Sequence, residues 1–123
     1  MTETDDEREA LNERIAKLRG WTWKTDTDCP GGGWWHVPAG EPGRDEFGSA
    51  DNVPDWSGDP TLALGLLEEN EAGYFITKNK ESWRPRYQVE TFAPYQCEAG
   101  DEFAPTAARA WLDWAESKQE AQS

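Results

Sequence analysis

Gly20-Trp21-Thr22-Trp23-Lys24 and Gly31-Gly32-Gly33-Trp34-Trp35-His36-Val37 decide how this chain is read. In the first stretch bulky and polar residues alternate, the two-residue period of a strand. In the second, a glycine-rich turn leads into another aromatic run. The two pair as a hairpin joined through Cys29-Pro30-Gly31-Gly32-Gly33. Before the hairpin the period is different. Leu11, Ile15 and Leu18 fall at i, i+4 and i+7, which predicts a helix over about residues 5–18. Thr4 or Asp5 can cap its start, acids crowd its first turn, and Gly20 follows its end.

The same alternation of elements continues downstream. Asp59-Pro60 is a cap followed by a first-turn proline, and it opens a short helix with Leu62, Ala63, Leu66 and Leu67 on one face. Tyr74-Phe75-Ile76-Thr77 reads as a third strand, with a turn at 79–82. Residues 83–92 place Trp83, Tyr87 and Val89 on one face and Arg84, Arg86, Gln88 and Glu90 on the other, with Pro85 marking a sheet edge. Tyr95-Gln96-Cys97-Glu98 is a candidate last strand. A final helix is predicted from Pro105 to Lys118, with Ala107, Ala108, Trp111, Leu112 and Ala115 on one stripe, and with fraying at residues 1–4 and 119–123. The expectation is one α+β domain over residues 1–123. It would hold an antiparallel sheet of four to five strands with three helices packed on it.

Charge and aromatics pull in opposite directions. The chain has 123 residues, a net charge of −13 and 8 tryptophans. So many indoles supply core area that an acidic disordered segment lacks, so the chain folds and its charge lies outside. Such a surface repels the phosphate backbones of nucleic acids and suits a basic protein surface. No apolar run is long enough to span a bilayer. The opening Met1-Thr2-Glu3-Thr4-Asp5-Asp6 is unlike a secretory signal, which points to the cytoplasm, where Cys29 and Cys97 would stay reduced.

Five stretches together resemble the phage ABA sandwich domain family. They are Leu11-Asn12-Glu13-Arg14-Ile15-Ala16, Gly20-Trp21-Thr22-Trp23, Gly33-Trp34-Trp35-His36-Val37-Pro38, Val53-Pro54-Asp55-Trp56-Ser57-Gly58-Asp59, and Ala104-Pro105-Thr106-Ala107-Ala108-Arg109-Ala110-Trp111-Leu112. In the fourth, Trp56 and Gly58 stand where that family usually has Tyr and Thr. The resemblance implies a three-layer α/β/α sandwich and a phage origin. It implies no activity and no catalytic residues.

No stretch carries the pattern of a reaction. His36, the only histidine, and the two cysteines lack the spacing that pre-organises a metal site, so no metal or other cofactor is expected. Gly31-Gly32-Gly33 has no following Lys-Ser/Thr and joins strand to strand, so it reads as a turn and not a phosphate loop. Ser57 lacks a nucleophile elbow and reads as a helix cap together with Asp59. Trp21, Trp23, Trp83 and Trp111 read as core. Trp34 and Trp35, being adjacent in a strand, point to opposite faces.

Two surfaces are candidates for binding. The first is the 38–58 loop, rich in Pro, Gly and acids, a length usually reserved for function or disorder. Its Asp45, Glu46, Asp51 and Asp55, with Trp56 and with Trp114 from the last helix, would form a partner-binding surface anchored by exposed indoles. The second is a basic island, Lys78, Lys80, Arg84 and Arg86, beside Trp83 and Tyr87, which could hold a phosphorylated ligand or simply guard a sheet edge. The resulting expectation is a non-enzymatic phage accessory protein docking on a basic host protein, of the anti-CRISPR or anti-restriction kind. The alternatives are a sponge for a phosphorylated nucleotide signal and a virion structural or assembly role. Exposed sheet edges and tryptophans would also allow a homodimer.

Overall fold

The computed structural model describes residues 5–25, 32–41, 44–92 and 95–122. Helix α1 spans Asp5–Leu18. It buries Leu11, Ile15 and Ala16, and leaves Leu18 half-covered. A Schellman motif ends it: the Trp21 N–H reaches the Ala16 carbonyl at 3.0 Å and the Gly20 N–H the Lys17 carbonyl at 3.2 Å. Gly20 sits at φ 94°, where a side chain would be strained. This tight reversal drops Trp21 straight into the core.

Strands β1 (Thr22–Thr25) and β2 (Gly33–His36) form the expected antiparallel hairpin, with Trp23 opposite Trp35. The connecting turn over 26–31, Cys29 included, lies outside the described residues. Trp35 is buried and Trp34 exposed, as the alternation requires. A third strand comes from within the acidic 38–58 loop: β3 (Ser49–Ala50) pairs with β2.

Asp59 caps helix α2 (Pro60–Glu68), its carboxylate accepting the Thr61 N–H at 2.9 Å. Strands β4 (Tyr74–Lys78), β5 (Tyr87–Thr91) and β6 (Gln96–Gly100) follow as an antiparallel meander. Helix α3 (Phe103–Gln122) closes the chain. It runs past the expected 105–118 because Ala, Glu, Lys and Gln fill its last turns, and all propagate a helix.

Among the described residues the fold is therefore α+β with three helices, and six strands form two three-stranded sheets, β1-β2-β3 and β4-β5-β6, in place of one sheet of four to five strands. Strand β3 extends the first hairpin into its own sheet, and β4, β5 and β6 pair only among themselves. Helix α3 organises the rest, packing on α1, α2, β5 and β6. Trp111, Leu112 and Trp114 enter one core with Trp21, Trp35, Val37, Trp56 and Leu66. Ala104, Ala107 and Ala110 enter a second with Ala63, Leu67 and Val89, where small side chains let α2 and β5 approach closely.

Two polar ties hold the first core's rim. Arg19 forms a fork with Glu41, both bonds at 2.6 Å, and reaches Glu69 through Nη1 at 2.5 Å. Its guanidinium lies 5.7 Å from the Trp56 ring centroid and 5.8 Å from that of Trp111. Burial opposes the charge on Arg19, but the hydrogen bonds to both carboxylates outweigh it and raise its pKa. Burial also works against charge on Glu41. The bonds from Arg19 and from the Trp21 indole N–H prevail and lower its pKa. In the second tie, Asn12 donates to Asp55 at 3.0 Å and accepts from the buried Ser57 N–H at 2.9 Å. The Ser57 hydroxyl donates to the Arg8 carbonyl at 3.2 Å. Ser57 thus anchors the loop to α1, and Asp59 alone caps α2.

Candidate functional site

The acidic loop is ordered by its own side chains. The Asp45 carboxylate accepts the Phe47 N–H at 2.9 Å and the Ser49 N–H at 2.8 Å. The Asp45 N–H bonds the Ser49 carbonyl at 2.9 Å. This tight turn leads into β3 and leaves Phe47 82% exposed at its tip. Glu46 and Asp51 are exposed beside it in sequence, and Asp55 is exposed but tied to Asn12.

The two indoles expected to anchor this surface do not reach it. Trp56 is 2% exposed and packs edge-on against Trp21, ring centroids 6.0 Å apart. Trp114 is 7% exposed, with the Lys118 ammonium 4.9 Å from its ring centroid. The Asn12–Asp55–Ser57 ties turn the chain so that Trp56 points inward, and α3 packs on both sides, so the Trp111 stripe is not its only buried face.

In the basic island Lys78 and Arg86 lie at Tyr87 and Arg84 lies at Trp83, and Trp83 leaves the core. Strand β5 begins only at Tyr87, because the 79–86 loop is closed by Asn79. Its N–H bonds the Arg86 carbonyl and its Nδ2 the Pro85 carbonyl, both at 2.8 Å. Trp83 therefore lies in the loop, 73% exposed. Trp23, also expected in the core, is 44% exposed because β1 is an edge strand. The Arg84 guanidinium sits 4.3 Å from the Trp83 ring centroid, and Glu81 pairs with Arg84 at 3.1 Å. Arg86 and Lys78 lie 5.5 Å and 5.9 Å from the ring centroid of Tyr87, which is half-buried against Phe103.

Beside this loop the structure opens a cleft of about 560 Å³. It is lined by Trp83, Arg84 and Pro85 from the loop, Gly100, Asp101 and Glu102 from the end of β6 and the following turn, and Thr106 and Arg109 from α3. A Cβ at Gly100 would fall 2.5 Å from Thr106 Oγ1 and 2.8 Å from an Arg109 Nη atom. Only glycine lets α3 bring both groups this close. Arg109 also faces Glu98 at 3.8 Å, and its pKa is lowered by burial against an opposing pull from Asp113. Glu98 itself is pushed up to about 7, by burial first and then by its hydrogen bond with Asp113. Thr106, Arg109 and Asp113 recur at i, i+3 and i+7, a polar stripe beside the apolar one that the sequence reading passed over. Among the described residues no group of three or more His, Cys, Asp or Glu could hold a metal ion. His36 is exposed on β2, and Cys97 is an exposed free thiol on β6.

The architecture is similar to that of a phage protein from Bacillus cereus ATCC 14579, known from a 2.0 Å crystal structure, with a TM-score of 0.62. The match covers 94% of each chain at 18% sequence identity, a level at which the likeness concerns the fold. No protein-family model and no curated protein matches the chain. Among the described residues no helix is long and apolar enough to cross a membrane.

Proposed function

We propose that this chain is a non-enzymatic accessory protein of the phage kind that docks on a basic protein surface through its acidic loop. The observation that carries this reading is the Asp45 turn. It holds one large aromatic, Phe47, 82% exposed beside Glu46, with Asp51 just beyond β3. An exposed aromatic ringed by charge is the usual make-up of a protein-binding anchor. Phe47 takes the part expected of Trp56. The wider surface supports the same partner chemistry. Arg8, Arg14, Arg19, Arg84 and Arg109 already face carboxylates of the same chain, and the net charge of −13 is left to the outside. Such a field steers a basic partner into contact and weakens as salt rises. The likeness to a phage protein supports the phage context, in which countering a host defence component is the corresponding role.

The test is capture from host lysate with the immobilised protein, run in parallel with Phe47→Ala and with Glu46→Lys/Asp51→Lys. A stoichiometric basic partner, released by salt and lost with both variants, supports the reading. Capture that both variants leave intact refutes it.

A further inference from the structure

Trp83 contributes to neither core, yet it is held in one place. The 79–86 loop is fastened by the two Asn79 bonds and by the Arg84 N–H to the Glu81 carbonyl at 3.3 Å. The Arg84 guanidinium rests against the indole, and most of the ring stays in water. The guanidinium covers one face of the exposed indole, which leaves the opposite face open for stacking. The indole stands at the wall of a cleft whose volume falls in the range of small-molecule sites.

The charge around this cleft differs from the rest of the protein. Arg84 and Arg109 in its lining match Asp101 and Glu102 in number, and Glu102 is itself held by Arg8 at 2.5 Å. Lys78, Lys80 and Arg86 belong to the same hairpin and are exposed, Lys78 and Arg86 lying at the Tyr87 ring. With Glu81 beside Arg84, and Glu98 and Asp113 beside Arg109, the cations of the cleft and its hairpin balance the anions, in a chain of net charge −13. Nearby charges dominate over a Debye length of about 8 Å, so an anion can settle here despite the global field.

We propose that this cleft binds a small nucleoside phosphate, the base stacked on Trp83 and the phosphate met by Arg84 and the neighbouring hairpin cations. A planar aromatic group suits the indole face, and a guanidinium suits phosphate oxygens. Carboxylates in the wall offer acceptors to ribose hydroxyls or base amino groups. The same chemistry could come from a free nucleotide or from the end of a single strand. The acidic surface decides between them, because each further phosphate of a strand would lie against negative charge.

The experiment follows the Trp83 indole N–H resonance by NMR, assigned through its loss in Trp83→Ala. It is titrated with adenosine monophosphate, adenosine, inorganic phosphate and a short oligothymidylate. The nucleotide should shift the resonance saturably, with adenosine and phosphate each weaker. Arg84→Ala should weaken nucleotide binding by about tenfold or more, and Trp83→Phe, which lacks the reporter and is measured by calorimetry, should weaken it less than that. A resonance unmoved by the nucleotide at millimolar concentration overturns the site, as does binding that Arg84→Ala leaves unchanged. An oligothymidylate that binds much more tightly than the nucleotide overturns the choice of a small ligand.

Discussion

The Glu98–Asp113 pair makes the stability of this protein depend on pH in a predictable direction. Glu98 titrates near about 7 in the folded chain, against an ordinary value of 4.5. Between those values the folded state holds a proton that the unfolded state has released. Stability from this group is therefore full below about pH 4.5 and is lost as pH rises toward 7. At about 1.4 kcal/mol per pH unit, the interval would be worth roughly 3 kcal/mol for a fully buried carboxyl. The Glu98 side chain is 29% exposed, and solvent screening reduces this to about 1–2 kcal/mol. Glu98→Gln removes the titration but keeps the shape. The variant should match the wild type at pH 5 and exceed it by about 1–2 kcal/mol at pH 8, or by several degrees in Tm. Urea unfolding of both proteins from pH 5 to 8 measures the difference and cancels the other carboxylates. A difference that does not change with pH would refute the reasoning, as would a Glu98 carbon resonance titrating near pH 4.5.

Four more substitutions probe the packing. Trp56→Ala should cost about 3–5 kcal/mol in chemical denaturation, because the indole is fully enclosed, whereas Trp83→Ala should change stability by less than about 0.5 kcal/mol. Asn12→Ala strands the buried Ser57 N–H and should cost about 1–3 kcal/mol, with faster amide exchange at Ser57 as the local signature. Gly100→Ala drives a methyl into Thr106 and Arg109; thermal unfolding should show a loss of about 1–3 kcal/mol.

The bounds of α1, the first hairpin and the start of α2 were legible in the sequence because each is set within a few neighbouring residues, whereas the end of α2, expected near Gly73, falls at Glu68. Leu11, Ile15 and Leu18 share a helical stripe whatever lies around them. Gly20 terminates that helix through bonds to Lys17 and Ala16, and Asp59 caps the next through Thr61. The pairing of Trp23 with Trp35 follows from alternation and one short connection. The basic island was legible too, since its residues lie on one hairpin.

What the sequence determined by itself was local: periodicity, caps, turns, the aromatic-rich core and the net charge of −13. What only the tertiary structure decided depends on residues far apart in the chain. Trp56 is buried because Asn12, 45 residues before Ser57 in sequence, fastens its loop to α1. Trp114 is buried because α3 is packed on more than one side, which no single stripe reveals. Trp83 is exposed because Asn79 closes its loop before β5 can begin. The cleft exists because Gly100 on β6 admits Arg109 and Thr106 from α3. The first sheet gains its third strand from a two-residue stretch, Ser49–Ala50, at the free edge of β2. Two residues carry too little pattern to be read in sequence, and whether they pair depends on the tertiary context that brings them to the edge.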